Sequence, residues 1–252
     1  MRELRVLLTA VVFFTRVPVP GKLLHDGDLL EEASRYLPFI GLVVGGVSAA
    51  VLWAAALILP TPVAVVLSML AAVLMTGAFH EDGLADTVDG FGGGWTVERK
   101  LEIMKDSRLG TYGAIALLMS MLLRYVLILA LIESGDMLQG LSVLVTTHIG
   151  ARLAPVLVMG LLSYVRLDET SKVKPIAKSL SLASFIWAVL GAVLLSFGIG
   201  GFEALLRLIL VLPTSALCAL VFRKHIGGYT GDTLGASEQI SELVLLGAAL
   251  IL

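Results

Sequence analysis

The chain is dominated by apolar runs that each approach the roughly 20 residues a helix needs to cross a bilayer. No water-soluble domain of 252 residues reads this way, with 58% of residues hydrophobic, 15% charged and a mean hydropathy of +0.96. The expected fold is all-α: a polytopic integral membrane helical bundle, one transmembrane domain over residues 1–252. Six spans are expected, at about Leu37–Leu59, Val63–Phe79, Ala114–Ile132, Leu138–Tyr164, Leu180–Phe197 and Ala204–Phe222. Pro60-Thr61-Pro62, Glu133–Asp136 and Gly198–Gly201 read as turns. Leu4–Phe14 and Leu243–Leu252 are too short to cross and read as membrane-associated ends, the last spanning only if it reaches back to about Gly235.

Orientation follows from the bases. Fifteen of the 18 Lys and Arg residues fall in four segments: Arg2–Arg35, the stretch before the third span, Arg166–Lys178, and Arg223–Lys224. The three turns hold none. Alternation of six spans puts all four basic segments on one side, and the excess of positive charge marks that side as cytoplasmic. Lys172, Lys174 and Lys178 read as topology anchors. The expected location is the cell inner membrane. Arg16-Val17-Pro18-Val19-Pro20 makes a poor cleavage site, so a removed signal peptide is not expected. The lone Cys218 cannot form an intramolecular disulfide, and nothing in the charge pattern points to nucleic acid.

Residues His80 to Gly113 form an island of charge, with seven acids and four bases between two apolar runs. On a helix, Asp82, Asp86 and Asp89 are spaced i, i+4, i+7 and share one stripe. Such a row repels itself unless a cation neutralises it, and hard oxygen ligands favour Mg2+ or Mn2+. Glu81 is an adjoining candidate ligand. The run Gly92, Gly93, Gly94 reads as a backbone nest for a phosphate, followed by Thr96 as the N-cap of a short helix. Arg108 is the first choice for a phosphate clamp, and Lys105 or Asp106 for assisting the nucleophile. His80 either anchors a helix end or acts at the site. His148 and Arg152 lie one turn apart in an apolar run, which marks them as candidates for substrate binding. Arg124 suits a buried structural pairing. The general base stays open.

The motifs DGLADTVDGFGGG and RKLEIMKDSRLGTYG resemble those of the cobalamin synthase family, as do FFTRVPVP, RYLPFIGLVVG, THIGARLAP and GGYTGDTLGASEQISE. The likeness covers nearly the whole chain. One departure is Glu81, where the family's H-x-D-G motif usually has an aliphatic residue. The resemblance implies a Mg2+-dependent transferase. The 3'-hydroxyl of α-ribazole, or of its 5'-phosphate, attacks the cobinamide-side phosphorus of adenosylcobinamide-GDP and releases GMP. It also implies that Asp232 completes the pocket from across the bundle. Oligomeric state stays open, and a homo-oligomer is compatible with it.

Two other readings share some of these features. A CDP-alcohol phosphotransferase also carries an acidic helix at a membrane surface, but its pattern has Ala-Arg where this chain has Ala85-Asp86. An ion-coupled transporter could use His148 and Arg152, but it would concentrate its acids near the midplane rather than at one interface.

Overall fold

A computed structural model of the chain describes residues 2–19, 29–165 and 180–252. The described residues form α1 (Arg2–Phe14), α2 (Leu30–Ala33), α3 (Leu37–Ala56), α4 (Thr61–Thr76), α5 (Phe79–Gly93), α6 (Val97–Lys105), α7 (Thr111–Ser134), α8 (Met137–Ala151), α9 (Leu153–Leu161), α10 (Leu182–Ile209), α11 (Val211–Ile226) and α12 (Gly231–Ala249). Lys22, Arg166, Lys172, Lys174 and Lys178 lie outside the described residues.

Four stretches are long and apolar enough to cross a membrane: Ser34–Ala56, Thr111–Ser134, Met137–Leu161 and Leu182–Ile226. The α4–α5 pair qualifies only when taken together, and it is bent by 86°. The first, third and fourth expected spans correspond to the first three of these stretches, and the second to α4 of the bent pair. The bend sits at Gly77 and Ala78, both left-handed (φ 67° and 60°). Gly takes that conformation without strain, whereas Ala costs about 1 kcal/mol. The bend divides the two helices by chemistry. α4 is apolar and packs on α3 through Ser48 and Ser68, whose buried hydroxyls lie 2.8 Å apart. α5 carries the acids and lies outside the four apolar stretches.

The expected fifth and sixth spans are two arms of one 45-residue stretch. Its full length, roughly 67 Å at the helical rise, is more than twice the ~30 Å hydrocarbon core, so it cannot cross once. It reverses at Gly201, whose backbone (φ 60°, ψ −149°) is open only to glycine. On the first arm Phe185 faces Gly160 and Ile199 meets Ser142; on the second, Leu208 faces Gly150 and Arg223 reaches the Leu161 carbonyl. The arms thus run in opposite directions along α8–α9. Large apolar side chains such as Trp187, Leu194 and Leu217 point outward from them.

The centre of the bundle is polar where it meets α12. The α8–α9 window is 89% buried against 28% for the α7 window, so α8–α9 is the inner span and α7 an outer one. The closing segment takes the longer of its two expected extents. It is a 19-residue helix reaching back to Gly231, and Glu238, Gln239 and Glu242 are almost fully enclosed within it.

Candidate active site

The acidic helix α5 runs beside α7 in the opposite sense, with Glu81 reaching Arg124 and Asp89 reaching the start of α7. Along the stripe, Asp82 is exposed, Asp86 half-buried and Asp89 buried. Asp89 accepts backbone N–H bonds from Gly110 at 2.7 Å and Gly113 at 2.8 Å. It satisfies N–H groups that the first turn of α7 leaves unpaired. Both glycines are required by that approach, since a Cβ on either would fall within 2.4 Å of an Asp89 oxygen. Asp89, expected among the metal ligands, uses one acceptor site on each oxygen to order the loop before α7.

A fourth carboxylate comes from α12. Thr230 caps that helix reciprocally with Thr233, which places Asp232 in its first turn. The two helices cross at Gly83 and Gly235. A Cβ on Gly83 would stand 2.7 Å from the Asp232 carbonyl oxygen, and one on Gly235 3.2 Å from that of His80. Bare Cα atoms at the crossing bring Asp232 to the Asp82–Asp86 side of α5. Asp86 registers the crowding: its carboxyl is pushed up to about 7, by burial first and then by the charges of Asp232, Asp82 and Asp89. The ion pairs of Arg99 with Glu102 and of Arg108 with Asp106 lie off this row.

Several expected ligands stand elsewhere. Glu81 points away from the row, to Arg124 (3.4 Å) and Gln239 (3.4 Å), and is corrected from the metal set to the buried interior. The glycine run is not an open nest: Gly92 and Gly93 complete the last turn of α5, and Gly94 caps it. A Cβ on Gly92 would collide with the Tyr112 ring and one on Gly94 with the Lys100 backbone, so the glycines are there to let α6 and α7 pack closely. Thr96 caps α6 as expected, accepting from the Arg99 N–H at 3.2 Å. Lys105 is exposed at the end of α6. Arg108, also exposed, is held by Asp106 through its Nε and Nη2. The Arg108 hydrogen bonds keep the Asp106 carboxyl below the usual carboxylate range.

His80, His148 and Arg152 were expected to touch substrate, but all three are buried. His148 and Arg152 belong to an ionic network in the bundle interior, and His80 lies at the crossing of α5 and α12, where its backbone faces Gly235. Arg152 Nη1 lies 3.1 Å from Glu238 Oε1 and 3.1 Å from His148 Nδ1. Arg124 contacts Glu81, bonds to Gln239, and lies 3.1 Å from Glu242. Among the described residues, the group whose metal-ligating atoms converge within 4.8 Å is His148, Glu238 and Glu242; neither Asp82, Asp86 and Asp89 nor Asp82, Asp86 and Asp232 lie that close together. The convergent group is already served by a guanidinium, so a second cation there meets repulsion. Glu238, Gln239 and Glu242 were not singled out from the sequence beyond their place in the motif GGYTGDTLGASEQISE. The available signal was Glu238-Gln239 followed at i+4 by Glu242, one polar face on a stretch that continues into Leu243-Val244-Leu245-Leu246.

The family model described as cobalamin-5-phosphate synthase matches residues 6–250. The chain belongs to the cobalamin-5-phosphate synthase family. Relatives of this synthase family include an adenosylcobinamide-GDP ribazoletransferase of Shewanella frigidimarina, 47% identical over 96% of this chain and 93% of its own. One from Shewanella baltica is 45% identical over 96% and 92%. No solved structure matches this synthase-family chain.

Proposed function

We propose that the chain is a transferase that joins α-ribazole, or its 5'-phosphate, to adenosylcobinamide-GDP, giving adenosylcobalamin or its phosphate and GMP. The observation that carries this reading is the approach of Asp232, on α12, to Asp82 and Asp86 of α5 at the Gly83–Gly235 crossing, close enough for the charges of Asp232 and Asp82 to raise the Asp86 carboxyl. The names of the relatives supply the substrates. The donor set suits Mg2+, a hard ion that takes few carboxylates and keeps several waters, and the half-open row leaves room for them. Asp82, Asp86 and Asp232 would hold it. When bound, the ion neutralises diphosphate oxygens and withdraws charge from phosphorus.

The chain's own residues do the rest. Asp89 fixes the loop that carries Arg108, two residues from Gly110. Arg108 is tethered by Asp106 and exposed, so it can exchange that carboxylate for two phosphate oxygens of the GDP moiety. The 3'-hydroxyl forms a new P–O bond at the cobinamide-side phosphorus as the bond to GMP breaks, and its proton is released to the solvent. The base-rich segments support an inner-membrane location with the site on the cytoplasmic side. The phosphotransferase and transporter alternatives are not favoured, because the matched family model covers residues 6–250.

The test is incubation of the purified protein with Mg2+, adenosylcobinamide-GDP and α-ribazole. Equimolar cobalamin and GMP are expected. Asp82→Asn and Asp86→Asn should each lower turnover by at least about a hundredfold while the protein still inserts into the membrane. Undiminished turnover in both variants would overturn the reading.

A further inference from the structure

The crossing of α5 and α12 at Gly83 and Gly235 brings two carboxylate-bearing helices together, but two bare Cα surfaces can still slide or rotate against each other. A third helix removes that freedom. Arg124, in the middle of α7 and 2% exposed, directs one guanidinium at Glu81 of α5 and at Gln239 and Glu242 of α12. Glu81 immediately precedes Asp82, so the group that meets Arg124 and the group facing the site are neighbours on the same turn. Gln239 Nε2 also donates to Glu81 (3.4 Å) and to Glu238 (2.9 Å), which closes the link between the helices. Arg124 donates to Glu81 and to Gln239, while its Nε lies 3.1 Å from Glu242 as an ion pair without a hydrogen bond. The planar fork fixes the two bonded directions, whereas an ammonium cannot hold them in one geometry.

We propose that Arg124 is a positioning residue that, through Glu81, Gln239 and Glu242, sets the distance between the Asp82–Asp86 row and Asp232, and so the fit of that site to a divalent cation. The inference rests on the reading of those carboxylates as the metal site. The charges of the network point to the right variants. Glu81, Glu238 and Glu242 face Arg124 and Arg152, three carboxylates against two guanidinium groups. Arg124→Ala would leave three acids with one partner and risks failing to fold. Arg124→Lys keeps the charge and loses the fork. Glu81→Leu removes the tie to α5 and leaves two acids against two bases, so it buries no new unpaired charge.

The experiment reads Mn2+ binding to the purified full chain by the loss of the free-ion EPR signal, with Mg2+ titrations of turnover and thermal midpoints measured alongside. Arg124→Lys and Glu81→Leu should each weaken Mn2+ binding about tenfold and raise the half-saturating Mg2+ similarly, with thermal midpoints close to the parent. Unchanged Mn2+ binding in both variants overturns the inference and leaves the metal-site reading standing. A fall in thermal midpoint with metal affinity unaltered also overturns it, because the network would then serve stability alone. If the parent chain binds no Mn2+, or binds it equally well as Asp86→Asn, the reading and the inference fall together.

Discussion

At the scale of single residues, three aspartates on one stripe do different work. Asp89 accepts a backbone N–H bond on each oxygen, whereas Asp86 is crowded by the charges of Asp232 and Asp82. Asp89→Asn offers one acceptor and turns an NH2 group toward the second N–H donor, leaving an unsatisfied contact worth about 1–3 kcal/mol. Turnover should fall while Mn2+ binding, measured by EPR, persists; loss of Mn2+ binding would instead make Asp89 a ligand. Asp86 gives a dependence on pH. Its carboxyl rises from 3.8 to about 7 in the folded, metal-free protein. Between those values the folded state holds a proton that the unfolded chain has lost, so stability is present at low pH and falls as pH rises through about 7. The thermal midpoint of the EDTA-treated protein should therefore drop between about pH 5 and pH 7.5, and Asp86→Asn should flatten that slope. A midpoint that instead rises over this range would contradict the crowding described for Asp86.

At the scale of elements, glycine decides which helices meet. The crossing of α5 and α12 has no room for a methyl group at Gly83, where the nearest atoms are backbone of Asp232 and cannot rotate away. Gly83→Ala should push the helices apart and lower turnover by more than about tenfold with the protein still inserted, measured by activity per folded molecule. Gly46 and Gly191 have open space around them, and alanine there should leave turnover unchanged. The stripe of aspartates and the Thr96 cap were legible in the sequence, because both depend on spacing along one helix. The role of Gly92 to Gly94 was not. Glycines that free a loop and glycines that admit a neighbouring helix have the same composition, and only the positions of Tyr112 and Lys100 distinguish them.

At the scale of the whole molecule, the site end and the opposite end of the bundle carry different exposed positions. Trp95, 97% exposed between α5 and α6, belongs to the site end. Gly135, between α7 and α8, belongs to the other. If the site faces the cytoplasm, Trp95→Cys should react with a membrane-impermeant maleimide only in inverted vesicles, and Gly135→Cys only in intact cells. Cys218, the single native thiol, is buried and should give little background. The reverse labelling pattern would put the site outside.

Hydropathy by itself determined that the chain is a helical membrane protein, and motif spacing determined where its acids and caps lie, because each depends on residues close together in the chain. Tertiary structure alone decided that Glu81 turns inward, that His148 and Arg152 serve a buried network, and that α12 is a central helix bringing Asp232 to Asp86. Those placements depend on partners far apart in the chain, Glu81 with Gln239 and Gly83 with Gly235, whose meeting is set by how closely bare backbones pack and by the cost of leaving a buried charge unpaired.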